Sequence, residues 1–164
     1  MYGLGRSGVA VSKLLRSQGH EVVYFDERVS VSPELDALGC ERADRPLDAL
    51  NIEVCIAAPG VPYDHPDLLA LRGRGVETIG EVEWVYRTVD AEIVGITGTA
   101  GKGTVTRWAS DIMQATGLDA PAGGNIDPAL SEVAGAGKTL VVELSSFMLE
   151  RTPTLKPRIA TALY

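Results

Sequence analysis

Lys102 is the residue best placed to do chemistry, because it lies in a glycine-rich turn between a β-branched run and a helical pattern. The stretch reads I-V-G-I-T-G-T-A-G-K-G-T over positions 93–104. Glycines let backbone N–H groups approach phosphate oxygens, a helix N-terminus adds positive potential, and a lysine neutralises charge. The stretch therefore predicts a nucleoside triphosphate site, for ATP or GTP, with a plain strand-to-helix turn as the alternative. The predicted phosphate-binding residues are Gly98, Thr99, Ala100, Gly101, Lys102, Gly103 and Thr104.

The turn departs from the common phosphate-loop pattern. That pattern, G-x-x-x-x-G-K-[ST], would place a glycine at position 96 and a hydroxyl directly after the lysine. Ile96 and Gly103 stand at those positions, and the hydroxyl of Thr104 comes one residue later.

Glu143 is the second candidate, because it ends an apolar run, T-L-V-V at positions 139–142, in the same half of the chain. An acid at the end of a strand in a nucleotide-binding domain holds Mg²⁺, directly or through water. A carboxylate that only caps the following turn is the alternative.

A second glycine pattern opens the chain. Positions 3–8 read G-L-G-R-S-G, a helical pattern follows, and a buried strand at positions 22–25 ends in Asp26. This is the start of a βαβ unit with an acid about 20 residues on, which places a phosphate at the first helix N-terminus and a ribose or base near the second strand. The alternatives are a turn that lets a helix pack closely and, for Asp26, a solvated carboxylate. Only two residues precede Gly3, so we expect most of the first strand to be missing.

Composition narrows the class of protein. The 164 residues include 45% hydrophobic residues and 18 glycines, which is typical of a soluble α/β protein. A net charge of −7 without a basic stripe disfavours nucleic-acid binding. No run approaches about 18 apolar residues and no signal peptide is visible, so we expect a cytoplasmic protein.

Cys40 and Cys55 lack metal-site spacing and are predicted to be buried or incidental. His20 and His65 are predicted to be solvated loop histidines.

Strand and helix patterns alternate through positions 1–90, which predicts a small doubly wound parallel sheet. Strands are expected at 22–25, 53–57 and 76–79, and helices at 33–39, 66–72 and 80–85. After a boundary near positions 89–91, a second unit is expected to hold a helix at 104–116, a loop at 123–126, a helix at 128–133 and strands at 139–142 and 158–163. The fold class is therefore α/β, with a Rossmann-like domain over 1–90 and the start of a phosphate-loop ATPase domain over 91–164.

Five segments together resemble the Mur ligases of bacterial cell-wall synthesis. In chain order they are G-L-G-R-S-G at 3–8, A-P-G at 58–60, G-I-T-G-T-A-G-K at 95–102, G-N-I at 124–126 and E-L-S-S-F at 143–147. Their order and spacing agree over the whole chain, and the E-L-S-S-F segment favours the D-glutamate-adding branch of the family.

The resemblance implies a three-domain, ATP-dependent ligase of which this chain holds the first domain and the opening part of the second. It implies UDP-N-acetylmuramoyl-L-alanine and D-glutamate as substrates, ATP and Mg²⁺ as cofactors, and an acyl-phosphate intermediate. The enzyme is expected to be a cytoplasmic monomer, and this chain by itself is expected to be inactive. The residues expected to contact the UDP-substrate are Arg6, Ser7, Asp26, Glu27, Arg28, Pro59, Gly60, Asn125 and Ser145. Lys102 and Glu143 are the implied catalytic residues, with Glu143 and Thr104 at the metal.

Several positions depart from the family pattern. Ala100 replaces an asparagine of the phosphate loop, and Gly103 removes a hydroxyl that would help to hold Mg²⁺. Ala58 replaces a serine found in some relatives, and Met148 replaces a glutamine. The metal-binding histidine, the modified lysine and the D-glutamate pocket of the family are expected beyond Tyr164. Two other functions stay open at this point: a dinucleotide-binding oxidoreductase domain, and a UDP-binding module whose ATP site has degenerated.

Overall fold

Strands and helices alternate along the chain in the computed structural model, which describes residues 1–44 and 47–164. The chain divides into two units, Met1–Glu81 and Val82–Tyr164. The predicted α/β class is confirmed in both. Among the described helices, none combines the length and apolar character that a membrane crossing requires.

The first unit is a parallel sheet built around Tyr2. Its strands are β1 (Val23–Tyr24), β2 (Glu41–Arg42), β3 (Val54–Ile56) and β4 (Glu77–Ile79). Strand β1 pairs with β2, and β3 pairs with β4, both in parallel. Tyr2 forms parallel bridges to Phe25 on one side and Ala57 on the other, so the chain start occupies the central strand position between the two pairs.

Helices of the first unit follow their capping signals. They are α1 (Arg6–Ser17), α2 (Pro33–Ala37) and α3 (Pro66–Gly73), with a 3₁₀ turn at Leu47–Ala49. Helices α2 and α3 both have proline in the first turn, where the missing N–H costs nothing. Helix α1 buries Val11 and Leu15, one turn apart, and keeps Lys13 at the surface. Cys40 and Cys55 are buried free thiols, as predicted.

The second unit is a four-stranded parallel sheet in the order β6-β7-β5-β8. Its strands are β5 (Glu92–Gly98), β6 (Ala122–Gly124), β7 (Thr139–Glu143) and β8 (Ile159–Leu163), and its helices are α5 (Lys102–Ala115), α6 (Leu130–Val133) and α7 (Ser146–Leu149). Val94, Ile96 and Val141 form its core with Ala120, because the two central strands are buried on both faces.

The division between the two units falls at the start of helix α4 (Glu81–Thr88). Glu83 in this helix is fully buried. Its carboxylate accepts a hydrogen bond from the Arg87 Nε–H at 2.7 Å and others from the backbone N–H and hydroxyl of Thr154. These bonds tie most of α4 to the second unit.

Candidate functional site

The glycine-rich turn that is predicted to hold phosphate, which we call the phosphate loop, connects β5 to α5. Gly98 is packed so closely on β8 that a Cβ atom there would lie 2.2 Å from the carbonyl oxygen of Leu163, which no side chain could tolerate. Helix α5 begins at Lys102, two residues earlier than predicted, with Gly101 as its N-cap and no acidic residue in its first turn. The positive end of a 14-residue helix and its first-turn N–H groups therefore adjoin the loop. This is the environment that an anion requires.

Lys102 is folded back over this loop. Its ammonium group donates hydrogen bonds to the carbonyl oxygen of Gly98 at 2.7 Å and to that of Thr99 at 3.3 Å. The ammonium group thus sits against the turn that is predicted to hold phosphate. Phosphate oxygens are stronger acceptors than these carbonyl groups, so the same lysine could transfer its bonds to them.

Glu143 and Asn125 meet at the carboxyl ends of β7 and β6. Glu143 is only 5% exposed. Its Oε1 accepts a hydrogen bond from the Asn125 amide at 2.7 Å, and its backbone carbonyl accepts the Asn125 backbone N–H at 3.0 Å. A Cβ atom built on Gly103 would lie 2.9 Å from Glu143 Oε2, so this oxygen faces the first turn of α5. The structure therefore places the predicted metal ligand beside the phosphate loop.

Two other residues of this unit, the predicted metal ligand Thr104 and the predicted substrate contact Ser145, have surroundings unlike those of Glu143. The side chain of Thr104 is exposed on the first turn of α5. The Ser145 hydroxyl accepts a hydrogen bond from the backbone N–H of Met148 at 3.3 Å and so caps α7. Ser145 thus has a local structural role, and its contact with substrate stays a prediction.

In the first unit, the glycine pattern has the geometry expected for a dinucleotide or diphosphate turn. A Cβ atom on Gly8 would lie 2.0 Å from the carbonyl oxygen of Gly3, so the third glycine is needed for the helix to approach the strand. Arg6 and Ser7 are the first two residues of α1, where N–H groups point out of the helix. The turn with Pro59 and Gly60 follows β3, and its first residue, Ala58, donates its N–H to the carbonyl of Tyr2 at 2.8 Å.

Asp26 holds the loop after β1 in place. Its carboxylate accepts hydrogen bonds from three backbone N–H groups, those of Leu4 at 2.6 Å, Arg28 at 2.7 Å and Val29 at 3.0 Å. Burial raises the pKa of Asp26, but these three bonds outweigh it and the net pKa is lowered. Asp26 therefore has a structural role, because it links this loop to the glycine turn. It is not simply a solvated carboxylate.

His65 is the residue that the sequence analysis missed, and its prediction as a solvated histidine was wrong. Its side chain is only 17% exposed. It is the N-cap of α3, and its Nδ1 accepts the backbone N–H of Asp67 at 3.3 Å. Its Nε2 lies 3.5 Å from Oε1 of Glu27, a predicted UDP-site residue. A histidine directly before the Pro66 of a helical pattern was the available signal, because proline at the first helical position marks the preceding residue as the N-cap. His20 is exposed, as expected.

Solved structures of Mur ligases share the fold of this chain. The structure resembles UDP-N-acetylmuramate:L-alanyl-gamma-D-glutamyl-meso-diaminopimelate ligase from Neisseria meningitides with a TM-score of 0.59, at 18% identity over 97% of this chain and 57% of that one. It also resembles the UDP-N-acetylmuramate-alanine ligase MurC from Thermotoga maritima, with a TM-score of 0.53, at 19% identity over 98% of this chain and 40% of that one.

Sequence comparison finds relatives of higher identity. The chain is 44% identical over 99% of its length to UDP-N-acetylmuramoylalanine–D-glutamate ligase from Thermus thermophilus, and 46% identical over 98% to the Deinococcus radiodurans enzyme of the same name. The Nostoc enzyme of that name is 40% identical over 96% of the chain. No protein-family model matches. The chain belongs to the Mur ligase family, and its sequence groups with these D-glutamate ligases. It spans 39% and 35% of the length of the Thermus and Deinococcus relatives.

Proposed function

We propose that this chain is the nucleotide- and UDP-substrate-binding part of an ATP-dependent ligase that joins D-glutamate to UDP-N-acetylmuramoyl-L-alanine in peptidoglycan synthesis. The observation that carries the proposal is its 44–46% identity, over nearly the whole chain, to ligases of that name. These relatives favour a ligase over the oxidoreductase that the first glycine pattern left open. We place the reaction in the cytoplasm and expect a monomer.

The second unit has the kinds of groups that bind ATP and Mg²⁺. The loop from Gly98 to Gly101 with Lys102 would hold the phosphates, since it combines glycine turns, a lysine and a helix N-terminus without acidic residues. Glu143 and Asn125 would hold Mg²⁺, because they offer a carboxylate and an amide oxygen beside that loop. When bound, ATP supplies the phosphoryl group that activates a carboxylate for attack by an amine, and Mg²⁺ offsets the negative charge.

The chain's own residues contribute position and charge to this reaction. Lys102 would neutralise part of the charge that keeps a substrate carboxylate away from a phosphate. Glu143 is buried and held by Asn125, so its direction is set before any ligand arrives. No residue of the predicted site is a suitable nucleophile, and we infer that catalysis depends on positioning and electrostatics.

The first unit would bind the UDP part of the substrate. The N–H groups at the start of α1, with Arg6 and Ser7, suit the diphosphate, and the turn at Pro59 and Gly60 would lie against it. The loop after β1, with Asp26, Glu27 and Arg28, suits the uridine. We assign positions 1–90 to UDP-substrate binding and 91–164 to ATP binding. The boundary lies close to the structural division at Glu81.

Isothermal titration of the whole chain tests the proposal. We expect heat with UDP-N-acetylmuramoyl-L-alanine and with ATP in the presence of Mg²⁺, and none with NADH. Lys102→Ala should abolish the ATP heat. Lys138→Ala is the matched control, because Lys138 pairs with Asp90 at an exposed position of the same unit. Heat with NADH alone would contradict the proposal. Heat with UDP-N-acetylmuramoyl-L-alanine but not ATP would leave a UDP-binding module with a degenerate ATP site.

A further inference from the structure

Arg107 is a cation of the second unit to which the proposed reaction gives no role. It lies on α5, one helical turn after Gly103. A Cβ atom on Gly103 would lie 2.9 Å from Glu143 Oε2 and 3.2 Å from Cγ2 of Ile126. Residues four apart share one face of a helix. Arg107 therefore lies on the face of α5 that is turned toward Glu143 and toward the loop after β6.

The side chain of Arg107 is held at the loop after β6. Its Nη2–H group donates a hydrogen bond to the carbonyl oxygen of Asp127 at 3.3 Å. Long helical side chains lean toward the helix N-terminus, and Gly103, one turn earlier, has no side chain that would stand in the way. Within residues 1–44 and 47–164, Arg107 forms no ion pair, not even with Asp111 one turn further along the helix. The guanidinium group is thus directed toward the end of α5 that adjoins the phosphate loop.

The positive charge of Arg107 is not neutralised by this contact. A carbonyl oxygen takes one of the five N–H donors of an arginine and carries no net charge. Lys102 is held in the same way, by the carbonyl oxygens of Gly98 and Thr99. Three other cations of the unit face carboxylates instead, in the pairs Arg87–Glu83, Lys138–Asp90 and Arg158–Glu92. Lys102 and Arg107 therefore both offer positive charge to an anion, in a chain whose net charge is −7.

The two cations lie at different strands of one sheet edge. Lys102 is at the loop after β5, Arg107 is at the loop after β6, and β7, which ends in Glu143, lies between these strands. Because the strands are parallel, all three carboxyl ends meet at the same edge. A phosphate bound by the phosphate loop would leave Arg107 available for a second anion on the other side of Glu143.

We propose that Arg107 is a binding residue for a second oxyanion of this site, and that this oxyanion is the carboxylate end of the UDP-substrate. The inference rests on the proposed function, in which a carboxylate must approach a phosphate. A guanidinium group binds a carboxylate or a phosphate through two parallel N–H···O bonds. The terminal phosphate of ATP offers the same chemistry, so the experiment must distinguish these two sources. The position at β6, away from the phosphate loop at β5, favours the carboxylate.

Three substitutions separate the charge of Arg107 from its hydrogen bond to Asp127. Alanine removes both, glutamine keeps an N–H donor without the charge, and lysine keeps the charge without the planar fork. We expect Arg107→Ala and Arg107→Gln to lower the affinity for UDP-N-acetylmuramoyl-L-alanine by about tenfold, and Arg107→Lys by about threefold. The residue is exposed and makes one bond to the protein, so the melting temperature should change by less than about 2 °C in each variant.

The experiment is calorimetric titration of the whole chain, in Mg²⁺, with four ligands: UDP-N-acetylmuramoyl-L-alanine, its neutral alaninamide analogue, UDP and ATP. Arg158→Ala is the matched control, because Arg158 is an exposed arginine of the same unit that faces Glu92 at 3.8 Å. We expect the wild type and Arg158→Ala to bind the carboxylate about tenfold more tightly than the amide. This preference should fall in Arg107→Ala and Arg107→Gln, whereas the affinities for UDP and ATP should not change.

Each other outcome has one meaning. Weaker ATP binding in Arg107→Ala, with the carboxylate preference intact, would support the oxyanion site and assign it to the terminal phosphate. Wild-type affinity for all four ligands in Arg107→Ala or in Arg107→Gln would mean that the arginine only holds the loop, and it overturns the inference alone. Equal weakening of all four ligands together with a lower melting temperature also overturns it. Wild-type protein that binds neither the UDP-substrate nor ATP overturns the proposed function, and the inference with it.

Discussion

Substitution of Gly103 by alanine tests the contact that places Glu143 at the phosphate loop. The new Cβ atom would lie 2.9 Å from Glu143 Oε2 and 3.2 Å from Cγ2 of Ile126. Ordinary contact begins at 3.4 Å, so the carboxylate must retreat by about 0.5 Å, the difference between 3.4 and 2.9 Å. Its other oxygen is held by Asn125 at 2.7 Å. The retreat therefore strains or breaks that bond.

Two opposing contributions decide whether Gly103→Ala raises or lowers the free energy of unfolding. Loss of a hydrogen bond to a charged group costs about 1.5–3 kcal/mol. Alanine in place of glycine favours a helix by at most about 1 kcal/mol, and less in the first turn, where residue 103 lies. We therefore expect Gly103→Ala to lower the free energy of unfolding by about 1–2 kcal/mol. In a Glu143→Ala background the contact with the carboxylate is gone and only the 3.2 Å contact with Ile126 Cγ2 remains, so the same substitution should be close to neutral.

Urea unfolding followed by tryptophan fluorescence measures both effects, because Trp84 and Trp108, the two tryptophans of the chain, lie in the second unit. The coupling energy of the double-mutant cycle should be about 1–2 kcal/mol. Gly135→Ala is the matched control, since a Cβ atom there meets nothing within 4 Å. If Gly103→Ala has the same effect in both backgrounds, Glu143 does not lie over the first turn of α5 and the assignment of the metal site loses its geometric support.

Three further predictions concern single side chains. Glu83→Ala should cost about 3 kcal/mol of unfolding free energy in urea, because it removes a buried carboxylate bonded to Arg87 and Thr154. Thr106→Val should stabilise by about 1 kcal/mol in the same assay, because the buried Thr106 hydroxyl has no hydrogen-bond partner within residues 1–44 and 47–164. Asp26→Asn should destabilise the first unit at neutral pH, measured by circular dichroism. Because the folded pKa of Asp26 is lowered, its stabilisation is present above the ordinary value of 3.8 and is lost as the pH falls through the folded pKa.

Each of these three substitutions has its own control or contradicting outcome. Glu83→Gln keeps the shape of the side chain but removes its charge, and it should cost less than Glu83→Ala. Equal losses would mean that the charge accounts for the whole effect and that the retained shape contributes nothing. A destabilising Thr106→Val would reveal a water bound to the hydroxyl. The Asp26 prediction fails if the stability difference between wild type and Asp26→Asn stays constant between pH 7 and 3.

Local sequence patterns predicted the central strands and helices of both units. The elements that these patterns missed form by pairing with strands that are distant in sequence. The β-branched run before the phosphate loop and the apolar run before Glu143 form the two central strands of the second sheet. Strand β6, by contrast, was expected to be a loop, because two of its three residues are glycines with poor strand propensity. It is a strand because it pairs in register with β7. Its pairing partner lies elsewhere in the sequence, so no local pattern could indicate it.

The start of α5 and the surroundings of His65 are two further features that the sequence predicted only in part. Glycine disfavours a helix, so the pattern indicated a start after Gly103, whereas the helix begins at Lys102. That difference matters to the site, because it adds the Lys102 and Gly103 N–H groups to the helix terminus. His65 could be identified as a cap from the following proline, but its approach to Glu27 depends on two loops that are far apart in sequence.

Three acids that follow strands, Asp26, Glu27 and Glu143, give the same local signal and differ in what faces them. Asp26 meets three backbone N–H groups, which lower its pKa and fix a loop. Glu27 is half exposed, and its Oε1 lies 3.5 Å from Nε2 of His65. Glu143 meets one amide, and its second oxygen faces a helix turn without a side chain. A carboxylate saturated by backbone donors has little left for a cation, whereas one held at a single oxygen is oriented and still able to bind. Of the three, Glu143 is therefore the acid best suited to a metal.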